Sequence, residues 1–481
     1  MKSKTEITPF REAGELLWEL LLFSAATVLS YRCSRRESYP ASGFFLIAVA
    51  FFLYFRNRSR EGGLLNLPGL FALGLLGGEG IACFHLSRLG TVWSRETWLS
   101  FYLSYLVFLP LYRLFCRLLR ERTGRKERAE NMQRRDRAQD AERAVQNAEI
   151  PRHAAGGIAI ALGGLLVLST LCFLIEAAVL GFIPLFTVAT PHAYSSFHLP
   201  GIHYFTTLSV LCPSIALLYR LTRRDTAGDT EKRRSLLQRI GGDPLFFLGL
   251  LLPWLLTVLM VSRFQFLFSV LLLLFTAYFC GLRLRRERLL AVFLGMLVIY
   301  VLLTAERAHS IRYLNEIFEM KNPAMPIFVT QPYMYIANNY DNFNVMTEQL
   351  TEHSHGMRML YPFVTLSALK YLVELPLAFP LFTTKAELTT VTLLYDAWYD
   401  FGIPGVLLFS AALSFLSALC TERLRRAENP FACLIAAQLA FYLLFSFFTT
   451  WFSNPSTLFY LVWSIFFYIF YGICNKNKRK A

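Results

Sequence analysis

Hydrophobic residues in this chain fall into runs of about twenty, separated by short clusters of charge. A run of that length lets a helix cross the ~30 Å hydrocarbon core of a bilayer. Twelve spans are predicted, at roughly 13–31, 41–55, 64–87, 96–116, 156–183, 202–221, 245–261, 264–282, 289–304, 394–420, 431–449 and 457–473. The first carries Glu15 and Glu19 inside it, and the second is short. Two long segments interrupt the alternation. Residues 117–152 hold 11 basic and 7 acidic side chains with no Pro before Pro151, which predicts a charged helix extending the fourth span, or a solvated linker. Residues 305–393 mix aromatics, Asn, His and charge, with helical spacing at Tyr333, Ile336, Tyr340 and Phe343. Short helices packed on the outer face of the membrane are expected there. A segment of that length with its own apolar pattern suits function better than spacing.

The predicted fold is all-α: a polytopic integral membrane protein of about 12 transmembrane helices with a large helical outer loop. Its divisions are N-terminal spans (1–116), a charged linker (117–155), central spans (156–304), the outer loop (305–393) and C-terminal spans (394–481).

Charge orients the chain. With both termini cytoplasmic, 36 of the 48 Lys and Arg fall in inner segments and 12 in outer ones, a positive-inside bias. Arg32, Arg35 and Arg36 are the exceptions. The formal charge of +15 is thus accounted for by loop placement and implies no nucleic-acid partner. Charged residues are 17% of the chain, against about a quarter in soluble proteins, which argues against an ordinary soluble enzyme. Nine Cys lie mostly inside apolar runs without a CxxC pair, so neither a zinc ribbon nor a redox dithiol is encoded.

Candidate chemistry gathers on the outer side. His85, His192, His198, His203, His309, His353 and His355 all fall there, among Tyr and Asn. Flat apolar rings with directional hydrogen-bonding groups suit sugar, although Tyr and His also populate interfacial belts. Arg263 stands alone between two long apolar runs. An arginine at that depth clamps phosphate with a permanent charge and a planar fork, or snorkels to water from a turn. Arg307, His309, Arg312, Lys321 and Arg358 add cations in the outer loop, which nonetheless holds 6 basic against 8 acidic residues, so any anion site must be local. Glu79 sits in the glycine-rich third span, where close packing at Gly74 and Gly78 explains the glycines. No Walker loop, dinucleotide fingerprint, HExxH, nucleophile elbow or outer-loop acidic pair is present. His353 and His355 lack an apparent third zinc ligand, and no metal or cofactor is expected.

Four stretches together resemble the Wzy-type polymerases of lipid-linked oligosaccharide repeat units. They are IPLFTVATPHAYSSFHLPGIHY (183–204), VSRFQFLF (261–268), QPYMYIANNYDNFNVMTEQL (331–350) and YDAWYDFGIPGVLLF (395–409). The resemblance implies a glycosyltransferase of GT-C-like plan in the bacterial cytoplasmic membrane. It would polymerise undecaprenyl-diphosphate-linked oligosaccharide on the outer face, for O-antigen, capsule or exopolysaccharide. Its partners would be membrane lipid, a chain-length regulator and a flippase of the same pathway. The implied diphosphate clamps are Arg263, Arg307, Arg312 and Arg358, with Arg263 first. His309, Asp341 or His353 would be the general base. Tyr333, Tyr335, Asn338, Asn339, His192 and His203 would face sugar, and Asp400 would orient the site or cap a helix. The 183–204 stretch departs from the family in lacking arginine. The alternative of the same class is an O-antigen ligase, which shares the plan, or another polyprenyl-linked glycosyltransferase. A lipid-linked glycan flippase or transporter is the reading of another class, disfavoured by the large outer loop and the lack of internal repeats.

Overall fold

The computed structural model describes residues 9–137, 153–187, 196–227, 243–282, 287, 290, 294–299, 302, 311–367, 369–372, 379–426 and 429–478. The described residues form helices, no strand, and one isolated bridge pairing Ser87 with Met320. Two compact units are built from interleaved segments. The first takes residues 1–118, 311–421 and 442–455, and the second takes 119–310, 422–441 and 456–481.

In chain order the helices are α1 (Pro9–Arg35), α2 (Tyr39–Glu61), α3 (Leu67–Ala82), α4 (Arg95–Arg137), α5 (His153–Leu180), α6 (Ile202–Arg223) and α7 (Pro244–Leu259). Then come α8 (Arg263–Phe279), α9 (Ile311–Phe318), α10 (Ile327–Gln349), α11 (Met357–Leu366), α12 (Tyr395–Arg426), α13 (Phe431–Leu444) and α14 (Pro455–Lys478). Seven of them, namely α1, α2, α4, α5, α6, α12 and α14, contain a stretch long and apolar enough to cross a membrane. Four apolar helices, α3, α7, α8 and α13, are shorter, at 10–17 residues. Eleven of the twelve predicted spans coincide with one of these helices, and half of the span at 289–304 lies outside the described residues. The fourth span extends into the charged segment as expected, since α4 continues to Arg137.

In the first unit α1 and α2 form a hairpin. Ser30 and Ser42 exchange hydroxyl-to-carbonyl bonds of 2.8 and 2.9 Å across it. Gly62, at φ +77°, ends α2 by donating to the Arg58 carbonyl, a left-handed cap that glycine adopts without a Cβ penalty. The acidic residues inside the first span are compensated by arginines. Glu19 is fully buried and receives Arg113 on one oxygen and the Nε of Arg56 on the other, at 3.1 Å.

Asn66 starts α3 by accepting the Gly69 N–H at 2.9 Å. A π-helical turn at Ala72–Gly77 then loosens it. The π turn leaves carbonyls for a side chain to reach, and the Tyr340 hydroxyl donates to that of Leu75 at 2.6 Å. A Cβ on Gly74 would collide with the Leu443 and Leu444 carbonyls, and one on Gly78 would come within 2.5 Å of the Tyr340 oxygen. Both glycines therefore serve close backbone approach.

The outer-loop sequence differs most from expectation. Besides the short helices α9 and α11, residues 327–349 make one 23-residue helix, α10, most of whose residues are buried. Its asparagines account for this, because they brace irregular backbone. Asn339 donates to the Phe447 carbonyl at 2.7 Å, and Asn342 donates to the carbonyls of Leu388 and Thr390 at 2.7 and 2.8 Å. Asn344 accepts from the Ser94 N–H at 2.7 Å and the Thr97 hydroxyl at 2.9 Å. Buried loop backbone needs such partners, and a run of Asn on one helix supplies them.

The second unit packs α5 to α8 together. Phe173, Phe197, Leu256 and Met260 form a buried cluster. Asp243, nearly inaccessible, pairs with Arg220 at 2.8 Å and Arg223 at 3.2 Å. Gln438 donates to Ser464 at 2.9 Å, and the Phe268 ring contacts those of Phe441 and Tyr460.

Candidate functional site

The first turns of α12 carry Asp396 and Asp400, four residues apart and so on one helix face. Gly402 breaks the helix at φ +62°, ψ −143°, a region essentially reserved for glycine, and Pro404 follows. Proline has no N–H to return to Asp400, four residues back. The incoming segment 353–359 fills the gap. His355 N–H donates to the Asp400 carbonyl at 3.1 Å, and Ser354 N–H donates to that of Tyr399 at 3.3 Å.

The Asp400 carboxylate completes the docking. It is fully buried and accepts the N–H groups of Arg358 and Met359 at 3.0 and 2.9 Å, together with the Ser354 hydroxyl. Those two N–H groups lie in the first turn of α11, where no partner exists within the helix. A glycine, Gly356 at φ +97°, stands at the cap position of α11, so Asp400 caps the helix from another element.

This capping positions Arg358. Its Nε donates to Asp396 at 2.5 Å, and Asp396 takes the Ser453 hydroxyl on its other oxygen at 2.5 Å. The guanidinium carbon lies 4.5 Å from the Tyr399 ring centroid, 5.4 Å from Tyr395 and 5.9 Å from Phe379. Three rings therefore hold one cation. Arg358 and Asp396 line a cavity of about 250 Å³ with Tyr361, Thr450, Ser453 and Asn454. It offers an arginine fork, hydroxyls, an amide and aromatic faces, which together suit a sugar bearing a phosphate. His353 packs against the Trp398 ring and the Gly402 backbone of α12. Its Nδ1 lies 3.1 Å from the Tyr399 carbonyl, which can only accept, so Nδ1 carries a proton.

The structure separates the residues singled out in the sequence. Arg358, His353 and Asp400 come together around Tyr399. Asp341 lies elsewhere in the same unit, buried on α10, accepting the Trp93 indole N–H at 2.8 Å and the Thr91 N–H at 3.3 Å. Burial pushes its carboxyl up to about 7. Three proposed sugar contacts are corrected. Tyr333, Asn338 and Asn339 are buried. Tyr333 accepts the Leu86 N–H at 2.8 Å, Asn338 accepts the Thr384 hydroxyl at 2.7 Å, and Asn339 is the strut to Phe447. Tyr335 is partly exposed beside Phe448. His85, placed on the outer side by its sequence position, is stacked on Tyr39, and burial lowers its pKa to about 4.

Arg263 and His203 belong to the second unit. Arg263 opens α8 after a turn in which Val261 has φ +54°. His203 is also corrected as a sugar contact: it is buried with its Nδ1 3.0 Å from Glu176, which accepts the Leu199 N–H as well. His192, Arg307 and His309 lie outside the described residues, as does the Arg312 side chain.

Sequence reasoning missed Asp396 and Ser453. Asp396 was detectable, because two carboxylates at i and i+4 opening an apolar span require cationic or N–H partners. Ser453 carried no signal. Comparison of the chain with family models, with curated proteins and with solved structures finds no match.

Proposed function

We propose that the chain is a membrane glycosyltransferase that joins oligosaccharide repeat units carried on a polyprenyl diphosphate, at the outer face of the bacterial cytoplasmic membrane. The observation that supports it best is the Arg358 cavity, where one guanidinium is fixed by a carboxylate, three rings and a capped helix, beside hydroxyls.

In the proposed reaction the bond between the donor's anomeric carbon and the diphosphate oxygen breaks, and its electron pair leaves with the phosphate. The acceptor hydroxyl oxygen bonds that carbon, and its proton passes to a base. The donor arrives activated, so the protein's work is placement and charge stabilisation. Arg358 meets diphosphate charge, with Asp396 holding its Nε so that the other edge of the fork points at the ligand. His353 Nε2 accepts the proton.

Replacing Arg358 by Lys keeps the charge and loses the fork. The variant should be made and inserted normally, while long glycan falls at least tenfold and lipid-linked single repeats accumulate. The readouts are a gel of the surface glycan and extraction of carrier-linked intermediates. Arg263→Lys is run in parallel. Wild-type glycan from the Arg358 variant sinks the assignment. Full-length glycan left on its carrier in a deletion strain would instead mean a ligase, and repeats trapped on the inner face a flippase.

A further inference from the structure

A second charged assembly lies at the opposite ends of the α1–α2 hairpin from its turn. Glu15 and Glu19 from α1 meet Arg56 and Arg60 from α2 and Arg113 from α4, with Arg11 one turn before Glu15. Glu15 takes Arg56 at 2.8 Å and Arg60 at 2.7 Å on one oxygen and Arg11 at 3.4 Å on the other. Glu19 takes Arg56 and Arg113. Four arginines thus surround two carboxylates, an excess of two positive charges.

The excess is directed outward. Arg113 is the inner member, its side chain 13% exposed, and it anchors Glu19. Arg56 and Arg60 are the outer members, at 40% and 26%. Arg56 uses Nε and Nη2 on the glutamates, and Arg60 uses Nη2. Among the described residues no protein acceptor meets the Nη1 of Arg56, or the Nε and Nη1 of Arg60. Apolar side chains flank these charges at the same height. Trp18, next to Glu19, is 62% exposed, and Phe55, next to Arg56, is 54% exposed. An exposed indole beside arginines at the end of an apolar helix belongs at the boundary between hydrocarbon and headgroups. The Lys and Arg bias assigns this end to the inner leaflet, where anionic lipid concentrates.

We propose that this assembly is a binding site for the phosphodiester headgroup of an anionic glycerophospholipid. Arg56 and Arg60 hold the phosphate with their free N–H groups. Glu15 and Glu19 fix both guanidinium planes, so little side-chain entropy is lost on binding. Trp18 and Phe55 lie against the glycerol and upper chain. The ligand's phosphate chemistry is shared by free inorganic phosphate, and the flanking apolar surface selects the lipid. The site is independent of the glycosyl-transfer reading.

The test uses the full chain, purified in detergent and stripped of lipid. Native mass spectrometry and thermal unfolding are followed against phosphatidylglycerol, phosphatidylcholine and inorganic phosphate. Phosphatidylglycerol should be retained and should raise the unfolding temperature, while phosphatidylcholine and phosphate should do neither. Arg56→Gln and Arg60→Gln should each weaken phosphatidylglycerol binding about fivefold, the equivalent of about 1 kcal/mol per basic residue. Arg56→Lys with Arg60→Lys, a fallback that keeps the charge balance, should fold and bind with intermediate affinity because the forks are lost. Equal binding of the two lipids by the wild type overturns the proposal. So does phosphatidylglycerol binding unchanged in the Gln variants. Stabilisation by inorganic phosphate alone overturns the lipid source in favour of a small-anion site.

Discussion

Asp400→Asn tests whether one buried carboxylate sets the position of Arg358. Its Oδ1 accepts from Arg358 N–H and the Ser354 hydroxyl, and its Oδ2 from Met359 N–H. Asparagine has the same shape but only one accepting oxygen. Whichever way the amide turns, its NH2 then faces a backbone N–H, and a buried donor is left against a donor. A hydrogen bond to a charged acceptor contributes ~1.5–3 kcal/mol, and an orphaned donor costs a similar amount, so the variant should lose about 3 kcal/mol. Ser354→Ala removes one hydroxyl bond to the same carboxylate, orphans no donor and leaves both N–H bonds intact, so it should cost about 1.5 kcal/mol. Both are measured by unfolding in mixed micelles as the fraction of ionic detergent is raised. If Asp400→Asn unfolds where the wild type does, to within about 0.5 kcal/mol, the carboxylate does not cap α11 and the account of how Arg358 is held is wrong.

Two further outcomes are read in the same unfolding assay. Asp341 has its pKa raised from 3.8 to about 7, so the folded state favours its protonated form. Its contribution is complete below about pH 4 and declines as pH rises towards 7, then stays flat, a loss of up to about 4 kcal/mol. Asp341→Asn keeps an oxygen for Trp93 and Thr91, so the variant should lose this pH slope and be more stable than wild type at pH 8; an unchanged slope in the unfolding assay assigns it to another group. Gly402→Ala places a methyl 3.3 Å from the His353 ring at a backbone angle reserved for glycine, and should cost about 1–3 kcal/mol in the same assay, whereas a neutral result means the kink relaxes freely.

Much of the helical plan was legible from hydropathy alone. Even the two weakest spans, at 13–31 and 41–55, correspond to long apolar helices. The acids that weakened the first are matched by Arg56, Arg60 and Arg113, which lie 37 or more residues away in sequence. The helix at 327–349 was legible in its spacing at Tyr333, Ile336, Tyr340 and Phe343, but its burial was not. A run of asparagines reads as surface in a sequence, and only neighbouring loops with unpaired carbonyls make it an interior strut.

The site divides in the same way. The sequence by itself determined that helices of membrane-crossing length would form, where their basic flanks would fall, and that Arg358 and Asp400 were worth notice. Each of those follows from period, length and residue type, which are local properties. That Arg358 is held by Asp396, that Asp400 caps the helix carrying it, and that Asn338 and Asn339 turn inward were decided by tertiary structure. These outcomes depend on which backbone groups are left without partners once the helices pack, and a hydrogen bond between residues 40 or more positions apart leaves no period in the chain.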